Sequence, residues 1–291
     1  MKRTRADRAF RVVNILFIAV LCLAMGFPLF MTASISLQTM SEVYAPSPKL
    51  IPSTVQWGNY PLAMSNGNWG RYFFNSIVVT VITTLISLMI NSMSGFVFAR
   101  IPFKGRRALF AVVLLGMMIP PEVTLFSVFK LVRSIPFAGG NDWLGRGGRG
   151  LMNTYAGLIL PYIAGSFGVF LCRQFYLGFP QELDDAALID GCGRFAQFTR
   201  IYLPLSGPVL ASLGILKFTG TWNEYTWPLV LTSGDAMKTV QLALTSYRSE
   251  TEIQWNQLMA ATLLSGLPIY LLFFFAQKHF VNGLLAGSVK G

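Results

Sequence analysis

Charge is scarce in this sequence. Asp, Glu, Lys and Arg together make up 12% of its 291 residues, about half the share of a soluble globular domain. Set against 53% hydrophobic residues and a mean hydropathy of +0.54, that shortage leaves too little polar surface for a chain whose solvent is water. Histidine occurs once, at His279, so no HxxxH metal pair is possible. The three cysteines, Cys22, Cys172 and Cys192, show no CxxC spacing and form no disulfide framework. No G-x-x-x-x-G-K-S/T phosphate loop occurs, which excludes the common backbone cradle for nucleotide phosphates. A membrane-embedded enzyme needs paired carboxylates, a His/Asp metal set or a Ser/His pair. One histidine and scattered acids supply none, so no catalytic residue, no metal and no cofactor of its own are expected, and the chain reads as a non-enzyme.

What is present is a series of long apolar runs. A spanning helix needs roughly 20 mostly apolar residues to cross about 30 Å of hydrocarbon. Six runs qualify, at about 12–33, 75–98, 108–128, 154–172, 205–231 and 257–276. The third is interrupted near its end by Pro120, Pro121 and Glu122. The first has the basic start and apolar centre of a signal peptide. Its run is longer than the usual apolar region and no small-residue cleavage site follows, so a retained helix is expected.

The net charge of +11 is compatible with nucleic acid. The cations sit between apolar spans, however, without the stacking aromatics of single-strand binders, and no nucleic-acid partner is expected. They fit the positive-inside rule instead. With the N-terminus inside, the inner segments hold Lys2, Arg3, Arg5, Arg8 and Arg11, then Arg100, Lys104, Arg106 and Arg107, then Arg173, Arg194 and Arg200, and finally Lys278 and Lys290. Arg146 and Arg149 lie outside and weaken the contrast.

The predicted fold class is all-α: a polytopic membrane protein of about six transmembrane helices, N-in and C-in. Residues 1–11 are a cytoplasmic N-terminus and 12–291 a membrane domain with a C-terminal tail at 277–291. Membrane lipid is its solvent. Of the outer segments, 34–71 is long, polar and proline-bearing, and 135–153 is glycine-rich and reads as a mobile loop. Trp222, Trp227 and Trp255 fall near the expected outer interface, where indole rings anchor.

The cytoplasmic stretch 173–204 is too long for a simple turn. Pro180 suits a helix start, and Glu182, Asp184 and Asp185 fall where the helix dipole favours anions. Ala186 and Ala187 give helix propensity and a small surface, and Gly191 and Gly193 break the helix. Two short helices meeting at a glycine elbow with an acidic rim suit insertion into a groove on another protein. A membrane-surface helix is the bland alternative, but such helices are usually basic, and Glu182, Asp184, Asp185 and Asp190 crowd this one.

At these residues the chain resembles the permeases of ABC importers. Their loop motif is Glu-Ala-Ala, three residues, Gly, nine residues, Ile, one residue, Leu-Pro. Asp185-Ala186-Ala187, Gly191, Ile201 and Leu203-Pro204 stand at that spacing. Aspartate replaces glutamate at 185, keeping the charge and shortening its reach by one methylene. Thr221-Trp222-Asn223-Glu224-Tyr225-Thr226-Trp227-Pro228-Leu229, the ending from Phe280 to Gly291, and the pairs Asn59-Tyr60 and Asn75-Ser76 resemble the maltose-type carbohydrate permeases. The resemblance runs from about residue 12 to the end and leaves 139–150 unmatched.

The resemblance implies a permease subunit of an ATP-driven sugar importer working by alternating access. Its partners would be a second homologous permease, a dimer of ATP-binding subunits carrying ATP and Mg, and an extracellular or periplasmic solute-binding protein. It implies ATPase docking through Glu182, Asp185, Ala186, Ala187, Asp190, Gly191, Arg194 and Phe195, and weaker tail contacts through Gly287, Lys290 and Gly291. Asn91, Ser92, Lys217, Trp222, Asn223 and Glu224 are polar or interfacial residues for a substrate path or a partner-permease interface, since intramembrane polar groups are costly. A structural hydrogen bond between helices explains Asn223 and Glu224 equally well. Two other functions remain open at this point: an ion-coupled secondary transporter with Glu122 or Glu224 as proton site, although no internal repeat of the kind such transporters carry is visible, and an importer of a non-sugar solute such as a polyol phosphate.

Overall fold

The computed structural model describes residues 5–47, 49–248 and 252–288. Among the described residues the regular structure is helical, with β-pairing limited to one isolated bridge between Arg248 and Ile253. The main helices are α1 (Arg5–Ser36), α2 (Trp69–Arg100), α3 (Arg106–Met118), α4 (Pro121–Arg133), α5 (Ser166–Leu177), α6 (Glu182–Ile189), α7 (Gly207–Trp222) and α8 (Trp255–Ser288).

Among the described residues three helical stretches are long and apolar enough to cross a bilayer: Phe10–Ser36, Trp69–Arg100 and Trp255–Ala276. Three more pass only as bent pairs: α3 with α4 at 107°, Tyr155–Tyr162 with α5 at 46°, and Arg194–Leu205 with α7 at 78°. Proline causes the sharpest bend. Pro120 and Pro121 each force the residue before them out of helical geometry, and Ile119 and Pro120 are both extended. The 13 residues of α3 rise only about 20 Å, so α3 alone is shorter than the hydrocarbon core.

Where sequence reads one run at 205–231, α7 stops at Trp222 and a short helix restarts at Thr226–Leu231. The break carries Trp222 and Trp227 inward. They are 1% and 2% exposed, so neither is an interfacial anchor; the Trp227 indole donates to the Gly157 carbonyl at 3.0 Å. At the far end α8 runs unbroken to Ser288 where a tail was expected from 277. Gly287 lies on that helix, while Lys290 and Gly291 lie outside the described residues.

The chain forms two compact units, Met1–Trp69 with Leu244–Leu267, and Gly70–Ala243 with Pro268–Gly291. In the first, the polar segment after α1 is knotted by side-chain amides. Asn59 is buried and donates to the carbonyls of Ser36 and Gln38, both at 2.9 Å, while accepting from the Asn256 amide at 3.1 Å. Gln38 reaches the Lys49 carbonyl at 2.8 Å. Thr39 and Glu42 form a reciprocal capping box, and hydrogen bonds from Ser53 hold the Glu42 carboxyl down at about 2. Asn59→Ala strips two carbonyls of their donor, a loss of about 1–3 kcal/mol when the group is buried. A clear drop in the melting temperature of the detergent-solubilised protein is expected, with exposed Asn66→Ala as the control that leaves it unchanged.

In the second unit α2 presents Ser76, Thr80, Thr83, Ser87 and Asn91 on one buried face, a spacing that places them in line along the helix. Small polar residues let helices approach closely in lipid. Asn75 donates to the carbonyls of Ala236 and Lys238 at 3.0 and 2.8 Å and accepts from the Tyr155 hydroxyl at 2.7 Å. Ser76 accepts from the Val240 N–H at 2.8 Å. The Asn75-Ser76 pair thus staples the segment before Val240 onto α2.

The glycine-rich stretch 139–150, read from sequence as a mobile loop, is a closely packed cap on the C-terminus of α4. The Asn141 amide donates to the carbonyls of Arg133 and Ile135 at 2.8 and 2.9 Å and its oxygen accepts from Gly148 N–H at 2.9 Å. A Cβ on Gly150 would fall 2.2 Å from the Arg133 carbonyl oxygen. Those otherwise orphaned helix-end carbonyls are covered by backbone that only glycine permits so near.

Candidate functional site

The elbow expected between 173 and 204 is built from α5, α6 and the segment returning to α7. The chain leaves α5 through Gly178, and α6 begins at Glu182 with Gln181 as its cap residue, two residues later than the Pro180 start read from sequence. Its acidic first turn, Glu182, Asp184 and Asp185, matches the sign of the helix dipole there. α6 ends in a Schellman turn. Gly191 stands at φ +68°, its N–H bonds the Leu188 carbonyl at 3.1 Å, and the Cys192 N–H bonds the Ala187 carbonyl at 2.8 Å. Arg194–Gln197 then starts the return, followed by a π-turn at Phe198–Tyr202.

The four acids of the elbow divide. Glu182, Asp185 and Asp190 are exposed. Asp184 is buried: its Oδ2 lies 3.2 Å from Arg100 Nη1 at the end of α2, and its Oδ1 accepts from the Tyr202 hydroxyl at 2.8 Å and from the Gln197 amide. Gln197 and Tyr202 are fully buried. The Arg100 guanidinium also donates to the Phe179 carbonyl and lies over the Tyr202 ring at 5.5 Å. Beneath this knot sits an aromatic core of Phe96, Tyr176, Phe198 and Tyr202. Sequence reading missed Arg100, Asp184, Gln197 and Tyr202 as members of one group. The available signal was Arg100, a charge ending a long apolar helix.

The alanines divide as well. Ala186 is exposed, whereas Ala187 is 3% exposed and packs inward, so it supports the elbow rather than forming its surface. The outward face carries Ile189 and Phe195, 86% and 71% exposed, beside exposed Asp185, Asp190, Gly191 and Arg194. A bare apolar pair ringed by charge on a rigid turn is the makeup of a protein-docking surface.

The residues read as a substrate path or partner-permease interface also make ties within the chain. Asn91 donates to Ser87 at 2.8 Å and accepts from the Gly165 N–H at 3.2 Å. Ser92 begins a buried hydroxyl chain through Tyr176 (2.6 Å) to Ser206 (2.8 Å), which bonds the Tyr202 carbonyl. Lys217 lies over the Tyr162 ring at 5.5 Å. Trp222 stacks on Phe218 with centroids 6.0 Å apart. Glu224 accepts from the Trp227 N–H at 3.0 Å and so caps the short helix after the α7 break. Only Asn223, exposed and bonded to Gln241 at 3.0 Å, faces outward. Among the described residues no group of His, Cys, Asp and Glu is placed to hold a metal ion.

Residues 91–285, from the α2 asparagine through the elbow and into α8, match the family described as "Binding-protein-dependent transport system inner membrane component". The chain belongs to this family. The permease is 34% identical over 285 residues to the arabinooligosaccharides transport system permease protein AraQ of Bacillus subtilis, covering 97% of this chain and 96% of that one. It is 31% identical over 291 residues to the diacetylchitobiose uptake system permease protein DasC of Streptomyces coelicolor, over the full length of both. Its fold is shared with a chain of a crystallised bacterial ABC transporter involved in the import of the acidic polysaccharide alginate, at a TM-score of 0.79 and 20% identity, covering 96% of the permease and 99% of that chain. Membership in an inner-membrane transport family sets aside the ion-coupled and enzymatic alternatives: the permease is a non-catalytic membrane subunit of an ATP-driven importer.

Proposed function

We propose that the permease imports a sugar or oligosaccharide by alternating access, and that the elbow at 182–195 is where a separate ATPase drives it. In this reading the N- and C-termini face the cytosol, and a pair of ATP-binding subunits carries ATP and Mg. Beside the permease sit a second homologous permease and, outside, a solute-binding protein. Two packings of the same helices alternate, and ATP favours one of them. The observation that carries the reading is the exposed pair Ile189 and Phe195 on a glycine-locked turn, rimmed by Asp185, Asp190 and Arg194. The carbohydrate assignment follows the substrates named for the relatives. Neutral polyols need amides and aromatic faces more than fixed ion pairs.

Phe195→Ser together with Ile189→Ser is expected to abolish co-purification of the ATPase while leaving the membrane-inserted permease at wild-type level. The reconstituted wild-type complex is expected to take up labelled oligosaccharide in an ATP-dependent manner. ATPase capture unaffected by the double change would refute the docking face. Uptake of a polyol phosphate but no sugar would refute the substrate class.

A further inference from the structure

Asp184 takes no part in a docking surface, because its carboxylate faces inward and is only 12% exposed as a side chain. We infer that Asp184 and Arg100 are a positioning pair that carries motion of the elbow into the membrane helices, an inference resting on the ATPase docking proposed above. Together the two side chains join four segments, Asp184 bonding Gln197 and Tyr202 and Arg100 bonding the Phe179 carbonyl. Arg100 is the last residue of α2, Phe179 follows α5, Asp184 is on α6, and Gln197 and Tyr202 lie on the return to α7.

The need for such a knot comes from the glycines. α6 is flanked by Gly178 on one side and by Gly191 and Gly193 on the other, and nothing lies within 4 Å of a Cβ built on Gly191 or Gly193. Without a further tie, a short helix hung between such residues would swivel when pushed, and the push would be absorbed in the loop. Tying its inward face to the end of α2 and to the return segment removes that swivel. A force on Ile189 or Phe195 then tilts α2 and α7 as one body with the elbow.

Stability alone does not account for the pair. Buried ion pairs are often replaceable by well-packed apolar residues without loss of stability, but apolar residues make no hydrogen bonds and so cannot tie these segments in the same directions. Every oxygen of Asp184 is in use, and Gln197 is itself held by Arg194 at 3.1 Å, so the geometry is fixed on all sides.

The test uses the full complex in lipid nanodiscs or liposomes. Asp184→Asn keeps shape and removes charge. The variant is expected to retain the ATPase subunits and basal hydrolysis, while solute moved per ATP falls about tenfold or more, since the amide nitrogen that replaces one carboxylate oxygen donates and cannot accept, so one side of the tie is lost. If that variant fails to accumulate, Arg100→Met with Asp184→Leu supplies an apolar filler that folds without the tie, and the same loss is expected. Wild-type transport per ATP in either assembled variant overturns the inference. An independent readout on the otherwise unaltered knot uses nitroxides at Lys104→Cys and Gln181→Cys, with Cys22 and Cys192 replaced by serine. Their separation is expected to stay the same with and without ATP and to broaden in Asp184→Asn. A separation that changes with ATP in the unaltered knot means the elbow moves independently of α2, which also overturns it. If the wild-type complex itself captures no ATPase, the docking proposal has failed rather than the knot.

Discussion

Gly191→Val is expected to abolish ATP-dependent uptake while leaving the permease inserted in the membrane, with Gly191→Asn retaining most activity and Gly191→Ala falling between them. The ranking comes from backbone conformation alone. Gly191 sits at φ +68°, the left-handed region, where an L side chain costs about 1–2 kcal/mol. Asparagine tolerates that region, and a β-branched side chain in it is a genuine outlier. Crowding contributes nothing, because no atom lies within 4 Å of a Cβ built there. What is lost is the Schellman turn. Its two hydrogen bonds, from Gly191 N–H to Leu188 and from Cys192 N–H to Ala187, set the direction in which the chain leaves α6, and with it the position of Phe195 relative to Ile189. A penalty of about 1–2 kcal/mol is a factor of roughly 5–30 in the population of the native turn, and valine exceeds it. Uptake and ATPase co-purification should fall together in the order Asn, Ala, Val. Equal activity in all three would mean the turn does not set the docking geometry.

The elbow was legible in sequence because its chemistry is local: helix formers, an acidic first turn, then glycine. The three uninterrupted spans were legible for the same reason, since length and apolarity suffice to specify α1, α2 and the first part of α8. What stayed hidden depends on partners far along the chain. Asp184 and Asp185 are indistinguishable as letters. One is buried because Arg100 reaches it from the end of α2, and the other is exposed because nothing does. Pro120 and Pro121 announced a break but not its 107° angle. The run 205–231 concealed a break, because Trp222, Trp227 and Pro228 raise apolarity across it and the capping acceptor, Glu224, resembles any costly intramembrane acid. The stretch 139–150 misled most. Glycines that signal freedom in an isolated peptide here permit backbone contact, as at Gly139, where a Cβ would meet the Gly150 oxygen at 2.2 Å.

The same contrast gives the sharpest test of the membrane fold: Gly95→Ala is expected to destabilise the permease, against the usual sign of that substitution. Glycine in a helix interior ordinarily costs about 0.5–1 kcal/mol relative to alanine, so replacement normally helps. At Gly95 a Cβ would fall 2.5 Å from the Cys172 Cβ and 2.8 Å from the Arg173 backbone nitrogen. Two of the nearest three atoms belong to backbone, which cannot rotate away, so α2 and α5 must separate. Separation strains two further ties between the same helices. One is the Ser92–Tyr176 hydrogen bond of 2.6 Å. The other is the close fit of Gly168 against Asn91, where an added Cβ would lie 2.6 Å from the side chain. Overpacking alone costs about 1–3 kcal/mol, and unsatisfying a buried hydroxyl adds about 1–3 kcal/mol. Gly26→Ala in α1, with nothing within 4 Å of the new methyl, has the same chemistry and no neighbour, and is expected to be neutral or stabilising. Thermal unfolding of the two variants in one detergent should therefore move in opposite directions. Cys172→Gly in the Gly95→Ala background removes the nearest clash and leaves the Arg173 nitrogen, so it should restore part of the loss. A Gly95→Ala protein as stable as wild type would mean that α2 and α5 do not meet at this distance, and the knot joining Arg100 to the elbow below them would lose its footing.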